Sequence, residues 1–293
     1  MNKFALFPVL LRERFGDRTL PREPEPDLVM DDPDQVAAYD KAGSIDGLMA
    51  SAYLFHSARV SQVIQGCKDV VDLGCGPAIQ LCQIAQINPD ISFHGIDLSP
   101  TMLDNARANV ARLGLTNVRF SAGDITELDF LPNASVDGVI STMALHHLPT
   151  LDHLHRCFRG VHRILRPGGA LYLVDFSRLK RLKTVLFFAY QNSRHQPHLF
   201  TLDYERSLRA AFEQADFKAA TQAELPGRGH VFSTFMVPML TVIKTEDRPL
   251  QVAQRGLVRN LLKTMPARYR SDLNDMRMFF RLGGLKDDPF QGL

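Results

Sequence analysis

From residue 69 to residue 176 the chain alternates between two apolar periods, and this alternation limits the fold more than any other feature. Short apolar runs predict strands at 69–73, 93–98, 118–121, 137–141 and 170–176. Helical patterns separate them. One covers 78–87. A second opens with Ser99 as N-cap and Pro100 in the first turn, buries Met102, Leu103, Ala106, Val110 and Leu113, and stops at Gly114. A third carries Leu151, Leu154, Phe158, Val161 and Leu165 and ends at Arg166-Pro167-Gly168-Gly169. Strands that alternate with helices predict a mostly parallel sheet covered on both faces, because each parallel crossover needs a covering element. Two further strands are expected at 217–223 and 230–244, joined as an antiparallel hairpin by Pro226-Gly227-Arg228-Gly229.

The fold class is therefore α/β, a doubly wound, Rossmann-like sheet of seven strands with an antiparallel C-terminal hairpin. Outside it, 17–35 is rich in proline and acid and reads as an extended arm. Helical patterning over 35–65, with Tyr39, Leu48, Tyr53, Leu54 and Val60, reads as a helical lid. We divide the chain into arm and lid (1–65), core (66–245) with an acceptor cap near 177–202, and a helical C-terminal extension (246–293).

The first strand runs into Gly74-Cys75-Gly76, at the strand end where open α/β sheets bind ligands. A dinucleotide fingerprint wants a third glycine, where Ile79 stands here, and a free N–H at the helix start, which Pro77 removes. S-adenosylmethionine (SAM) has no phosphate. Its ribose hydroxyls and ammonium call for carboxylates. Asp97 closes the second strand, Asp72 precedes the glycine turn, and Asp124 ends the third strand.

These residues carry a resemblance. VVDLGCGPA (70–78), GIDLSPTML (95–103), SAGDI (121–125), DGVISTMALHHL (137–148) and LRPGGALYLVDF (165–176) stand in the order and spacing of the class I SAM-dependent methyltransferases, and resemble the UbiE-like small-molecule group. LDYERSLRAAFEQADF (202–217) resembles that family's last helix and sixth strand, so the likeness covers roughly 35–245. It implies SAM as cofactor. Asp72, Gly74 and Gly76 would lie about the methionine part, Asp97 on the ribose, Asp124 and the Ile125 backbone at adenine, with Leu98 and Met102 flanking the ring and Cys75 and Met143 also at the cofactor. Cys75 reads as a turn filler, not a nucleophile.

Orientation can supply most of the rate of methyl transfer, with help from a general base when the acceptor is a hydroxyl or a protonated amine. His146 and His147, after the fourth strand, are the candidate bases, against a packing role for the pair. Tyr39 and Tyr53 could cover the cofactor. His195 and His198 lie where this family builds its acceptor cap. No metal site is expected, since no Cys-x-x-Cys pair or His cluster completes a ligand pattern. No Asn/Asp-Pro-Pro-Tyr follows the fourth strand and no Pro-Cys dipeptide occurs, which argues against methylation of exocyclic amines and of cytosine C5.

A net charge of +2 gives no global attraction to nucleic acid. The five basic residues from Arg178 to Arg194 face no acids in the local sequence. A helix there with Leu179, Leu182 and Leu186 turned inward explains them as well as an RNA or acidic-protein partner does. No apolar run reaches the roughly 18 residues of a membrane span, and FALFPVLL reads as a packed N-terminal segment. Four cysteines without paired spacing suit the cytoplasm. The expectation is a cytoplasmic enzyme that methylates a small molecule, with nucleic acid and membrane disfavoured as partners. The alternatives are an RNA or protein methyltransferase and a non-catalytic SAM-binding regulator. The tail could cover the site, pair two subunits as a homo-oligomer, or stay loosely attached.

Overall fold

The computed structural model describes residues 3–26 and 47–293. Seven strands form one sheet: β1 (Asp69–Leu73), β2 (Ser92–Asp97), β3 (Val118–Ala122), β4 (Val136–Thr142), β5 (Leu165–Phe176), β6 (His230–Ser233) and β7 (Leu240–Lys244). Their order is β3-β2-β1-β4-β5-β7-β6. The first five strands pair in parallel, with Val70 opposite Phe93 on one side and Gly138 on the other. β7 runs antiparallel to both β5 and β6. The doubly wound α/β class is as expected.

Helices cover both faces. Two apolar clusters form, one on each side of the sheet. The first collects α2 (Ala50–Val63), α3 (Ile79–Ile87), Ala106 of α4 (Pro100–Arg112), and Val185, Phe188 and Ala189 of α6 (Leu182–Tyr190). The second collects α5 (Leu151–Ile164) and α8 (Gln214–Glu224). Ser99 caps α4 by accepting a hydrogen bond from the Met102 N–H at 3.1 Å, with Pro100 in the first turn.

Four expectations need correction. Residues 217–223 are not a strand but part of α8. Phe217, Ala220, Thr221 and Leu225 are buried at helical spacing, and Glu213 and Asp216 close a capping box. The run 230–244 therefore supplies both last strands, and their hairpin turns through 234–239, where Met236 has a positive φ. Residues 226–229 link α8 to β6 instead. The helix that the likeness implies within 202–217 ends at Ala210, as α7 (His198–Ala210), and Ala211 is already extended. The Arg166–Gly169 turn does end α5, but it also opens β5, whose register shifts between Val136 and Gly138. Finally, Leu182 and Leu186 are exposed, and Val185, Phe188 and Ala189 are the residues of that helix turned inward.

The ends of the chain are tied down. α1 (Lys3–Phe15) buries Leu6 and Leu10. The described part of the expected lid, α2, is a core helix buried on nearly every side. Its Phe55 stacks on Phe280 at 5.1 Å between ring centroids. The tail folds as α9 (Val252–Thr264) and α10 (Ala267–Leu282), docked against α2 through a hydrogen bond from Ser51 Oγ to Tyr269 O, 2.8 Å. Gly283 fits so closely against β6 that a Cβ there would lie 1.8 Å from Ser233 O. Among the described residues no helix is long and apolar enough to cross a membrane.

Candidate active site

The carboxyl ends of β1 to β4 meet at one cavity, about 1500 Å³ with its open mouth. At the end of β1 the N–H groups of Gly74 and Cys75 donate to Ile96 O, at 2.8 and 3.1 Å, which ties the glycine turn to β2. Both glycines take positive φ, +70° and +51°. A Cβ on Gly74 would strike Ala144 Cβ at 2.4 Å, whereas one on Gly76 would meet nothing within 4 Å, because Gly76 borders the cavity.

Acids surround this turn. Asp97 accepts the Gly76 N–H at 2.8 Å through Oδ2 and the Ser99 N–H at 2.9 Å through Oδ1. Burial outweighs those bonds and raises its pKa above the ordinary carboxylate value. Asp72 is buried, and its Oδ1 has no hydrogen-bond partner among the described residues. Burial, reinforced by the charge of Asp97, pushes its carboxyl well above the usual range. Asp124 braces its loop by accepting the Thr126 N–H at 2.7 Å. Leu98, Met102, Ile125 and Met143 line the same cavity, as does Cys75, whose thiol burial pushes well above its ordinary value.

The histidine pair lines the same cavity. His146 Nδ1 donates to Asp175 Oδ1 at 2.7 Å, and its main-chain N–H donates to Asp175 Oδ2 at 2.8 Å. Burial works against a charged ring there, but Asp175 outweighs it and raises the His146 value. His147 Nδ1 meets Glu25 Oε2 at 2.7 Å, and Ser207 Oγ donates to Glu25 Oε1 at 2.9 Å. Burial opposes ionisation of Glu25, yet the His147 hydrogen bond and the two ring charges hold its carboxyl down to about 2. Asp203 is pushed up to about 6 by burial and by Glu25. Glu25, His146 and His147 could together face a metal ion, their ligand atoms lying within 4.8 Å of one another. Those atoms already pair with each other and with Asp175, which accounts for their burial.

Tyr53 lines the cavity from the core helix α2. Tyr39 falls outside the described residues, and so does the side chain of His195. His198 is exposed and does not line the cavity. Phe200, Asp203, Tyr204 and Ser207 of the same helix do. These four recur at i, i+3, i+4 and i+7, a stripe readable in the sequence. Asp175 sits at a strand end like Asp72 and Asp97, so the same rule could have found it. Glu25 carries no local signal. Arg22 delivers it, donating to the main-chain oxygens of Ala210 at 2.6 Å and of Leu148 and Pro149 at 2.5 Å, and stacking on Phe212.

Residues 70–169 match the family model described as a methyltransferase domain. The fold is similar to a solved SAM-dependent methyltransferase of Aquifex aeolicus, with a TM-score of 0.51 and 17% identity, over 73% of this chain and 98% of that one. This chain carries a class I SAM-dependent methyltransferase domain. The chain is also similar, over part of its length, to curated relatives that include the following. It is 36% identical to an arsenite methyltransferase of Halobacterium salinarum over 36% of this chain and 26% of that one. It is 34% identical to a demethylmenaquinone methyltransferase of Listeria monocytogenes over 48% and 58%. It is 35% identical to ribosomal RNA large subunit methyltransferase G of Streptomyces avermitilis over 42% and 31%. The chain thus spans well under two thirds of each relative's length. The methyltransferase domain fits SAM through its own residues. The orphaned Asp72 oxygen suits an ammonium, Asp97 keeps acceptor capacity for hydroxyls, and the space beside Gly76 admits a ligand.

Proposed function

We propose that this protein transfers the methyl group of SAM to a small-molecule acceptor. The observation that carries the proposal is that the buried His146–Asp175 pair opens onto the same cavity as the glycine turn and its acids. Asp72 would hold the ammonium, Asp97 the ribose hydroxyls, Asp124 and Ile125 the adenine side, and Leu98 and Met102 the faces of the ring. Bound there, SAM supplies a methyl group already activated on a sulfonium. Asp175 fixes the His146 tautomer with its proton on Nδ1, which leaves Nε2 to take a proton from an acceptor hydroxyl. The aromatic walls Phe176, Phe200 and Tyr204 exclude water and orient the acceptor. Four free cysteines fit a reducing compartment such as the cytoplasm.

One relative named for ribosomal RNA favours a second reading, transfer to RNA. The basic segment supports it poorly. Arg178 pairs with Glu213, and Lys180 Nζ donates to the main-chain oxygens of Arg14 at 3.2 Å and Gly16 at 3.0 Å, so the first cation is held by an acid and the second clamps the N-terminal segment. The test incubates the protein with methyl-labelled SAM and a cell extract, then separates small molecules from RNA and protein. Label in the small fraction supports the proposal. Label on a macromolecule refutes it. SAM binding with no label moved in either fraction points to a regulator.

A further inference from the structure

A second cavity adjoins the one at the glycine turn. The two share Met49, Met143, Phe176 and Tyr204 as lining residues. The second chamber, about 1080 Å³ with its mouth, is walled by Leu6 and Leu10 of α1, Phe188 of α6, Met239 before β7, and Met276 and Phe279 of α10. All six lie outside the matched domain at 70–169, while Met143 of the domain lines the chamber as well. Specific ties build it. The Phe235 N–H donates to Phe279 O at 3.0 Å, Gly283 seats the end of α10 on β6, and the Lys180 ammonium holds the end of α1.

The lining decides what fits. Its surface is overwhelmingly apolar. Two lining residues, Asp272 and Asp275, are acidic, and none is basic. A carboxylate or phosphate tail would lose its hydration without gaining a countercharge. An uncharged tail would release water from apolar walls on both sides. Met143, at the join, has φ +55° and follows β4 on the way to the histidine pair. A molecule reaching from one cavity to the other would therefore place one end beside His146 and the other among Leu10, Phe188 and Met276.

We propose that the acceptor is an uncharged molecule with a hydroxyl head at His146 and an extended apolar tail in this chamber. The inference rests on the methyltransferase reading and adds the chemical class of the acceptor. Its test uses 4-alkylphenols from methyl to octyl. They compete with the neutral fluorophore N-phenyl-1-naphthylamine, which gives a clean signal in a chain without tryptophan. Each added methylene should tighten Kd about fourfold until the chamber is full, the equivalent of burying one CH₂. A carboxylate at the far end of the octyl chain should abolish that gain. Met276→Glu and, independently, Leu10→Gln should flatten the chain-length dependence while the Kd for S-adenosylhomocysteine (SAH), read by calorimetry, stays at wild type and certifies the fold.

A Kd independent of chain length in the wild-type protein overturns the proposal and leaves the methyltransferase reading standing if SAH binds. Equal binding of the carboxylated and plain chains overturns it as well. Failure of SAH to bind strikes the methyltransferase reading itself and removes the head group's assignment with it.

Discussion

The two glycines of the turn should fail in different ways when each is changed to alanine. At Gly74 an alanine must hold φ near +70°, which costs an L-residue about 1–2 kcal/mol. Its Cβ would also lie 2.4 Å from Ala144 Cβ, and overpacking of this kind costs about 1–3 kcal/mol more. The sum, about 2–5 kcal/mol, should lower Tm by at least about 4 °C. At Gly76 the backbone term is the same, but nothing lies within 4 Å of the new methyl. Stability should therefore fall by only about 1–2 kcal/mol. The methyl instead occupies space that a bound ligand needs. An overlap of about 1–3 kcal/mol there weakens binding about 5- to 160-fold. Urea unfolding reads the first quantity and calorimetry with SAH the second. Ala144→Gly in the Gly74→Ala background should return the overlap and leave the backbone strain, because the two residues share one contact. Wild-type SAH affinity in Gly76→Ala would refute the assignment of that wall to the cofactor, whatever its stability.

Asp97→Asn should raise the Kd for SAH about 10- to 150-fold, the range for a hydrogen bond to a charged group, with the circular dichroism spectrum unchanged. Methyl transfer to a hydroxyl should show an ascending pH limb above 6.5, since Asp175 raises the value at which His146 loses its proton. Asp175→Asn should move that limb to lower pH. Glu25, held at about 2 instead of 4.5, contributes stability that is present above pH 4.5 and is lost as pH falls from 4.5 towards 2. The loss is on the order of 3 kcal/mol and should vanish in Glu25→Gln, as followed by acid unfolding. Arg22→Ala strands main-chain oxygens of Leu148, Pro149 and Ala210, so it should cost about 2–4 kcal/mol in urea.

The fold was legible where local pattern and tertiary role agree. The first five strands are buried runs bounded by caps and glycines, and each signal there names one element. The sixth expected strand shows how agreement breaks down. In 217–223 the apolar residues are few and short, and Ala and Thr are neutral enough to suit either period. Phe217, Ala220 and Thr221 together with Leu225 settle it as a helix only once the capping box at Glu213 and Asp216 is counted. Hairpin chemistry misled in the same region, because Pro-Gly-x-Gly closes a helix-to-strand link as readily as a strand pair.

The site divides along the same line. Asp72, Gly74, Gly76, Asp97 and Asp124 are found by one rule, an acid or a glycine turn at the carboxyl end of a parallel strand, since topology alone brings those ends together. His146 and His147 are adjacent in sequence, yet one pairs with Asp175 of the neighbouring strand and the other with Glu25 of the arm. No spacing encodes that division, because a 3₁₀ turn at 145–147 sends consecutive side chains to different partners. Glu25 reaches its place through tertiary ties, chiefly Arg22, whose guanidinium satisfies carbonyls left open where α5 begins and α7 ends, and Glu23, whose N–H donates to Arg209 O at 3.1 Å. In the sequence that arm is a run of prolines and acids. Its composition excludes a helix and says nothing of where the extended chain lies, so half of the acid–base constellation became visible only with the tertiary contacts of Arg22 and Glu23.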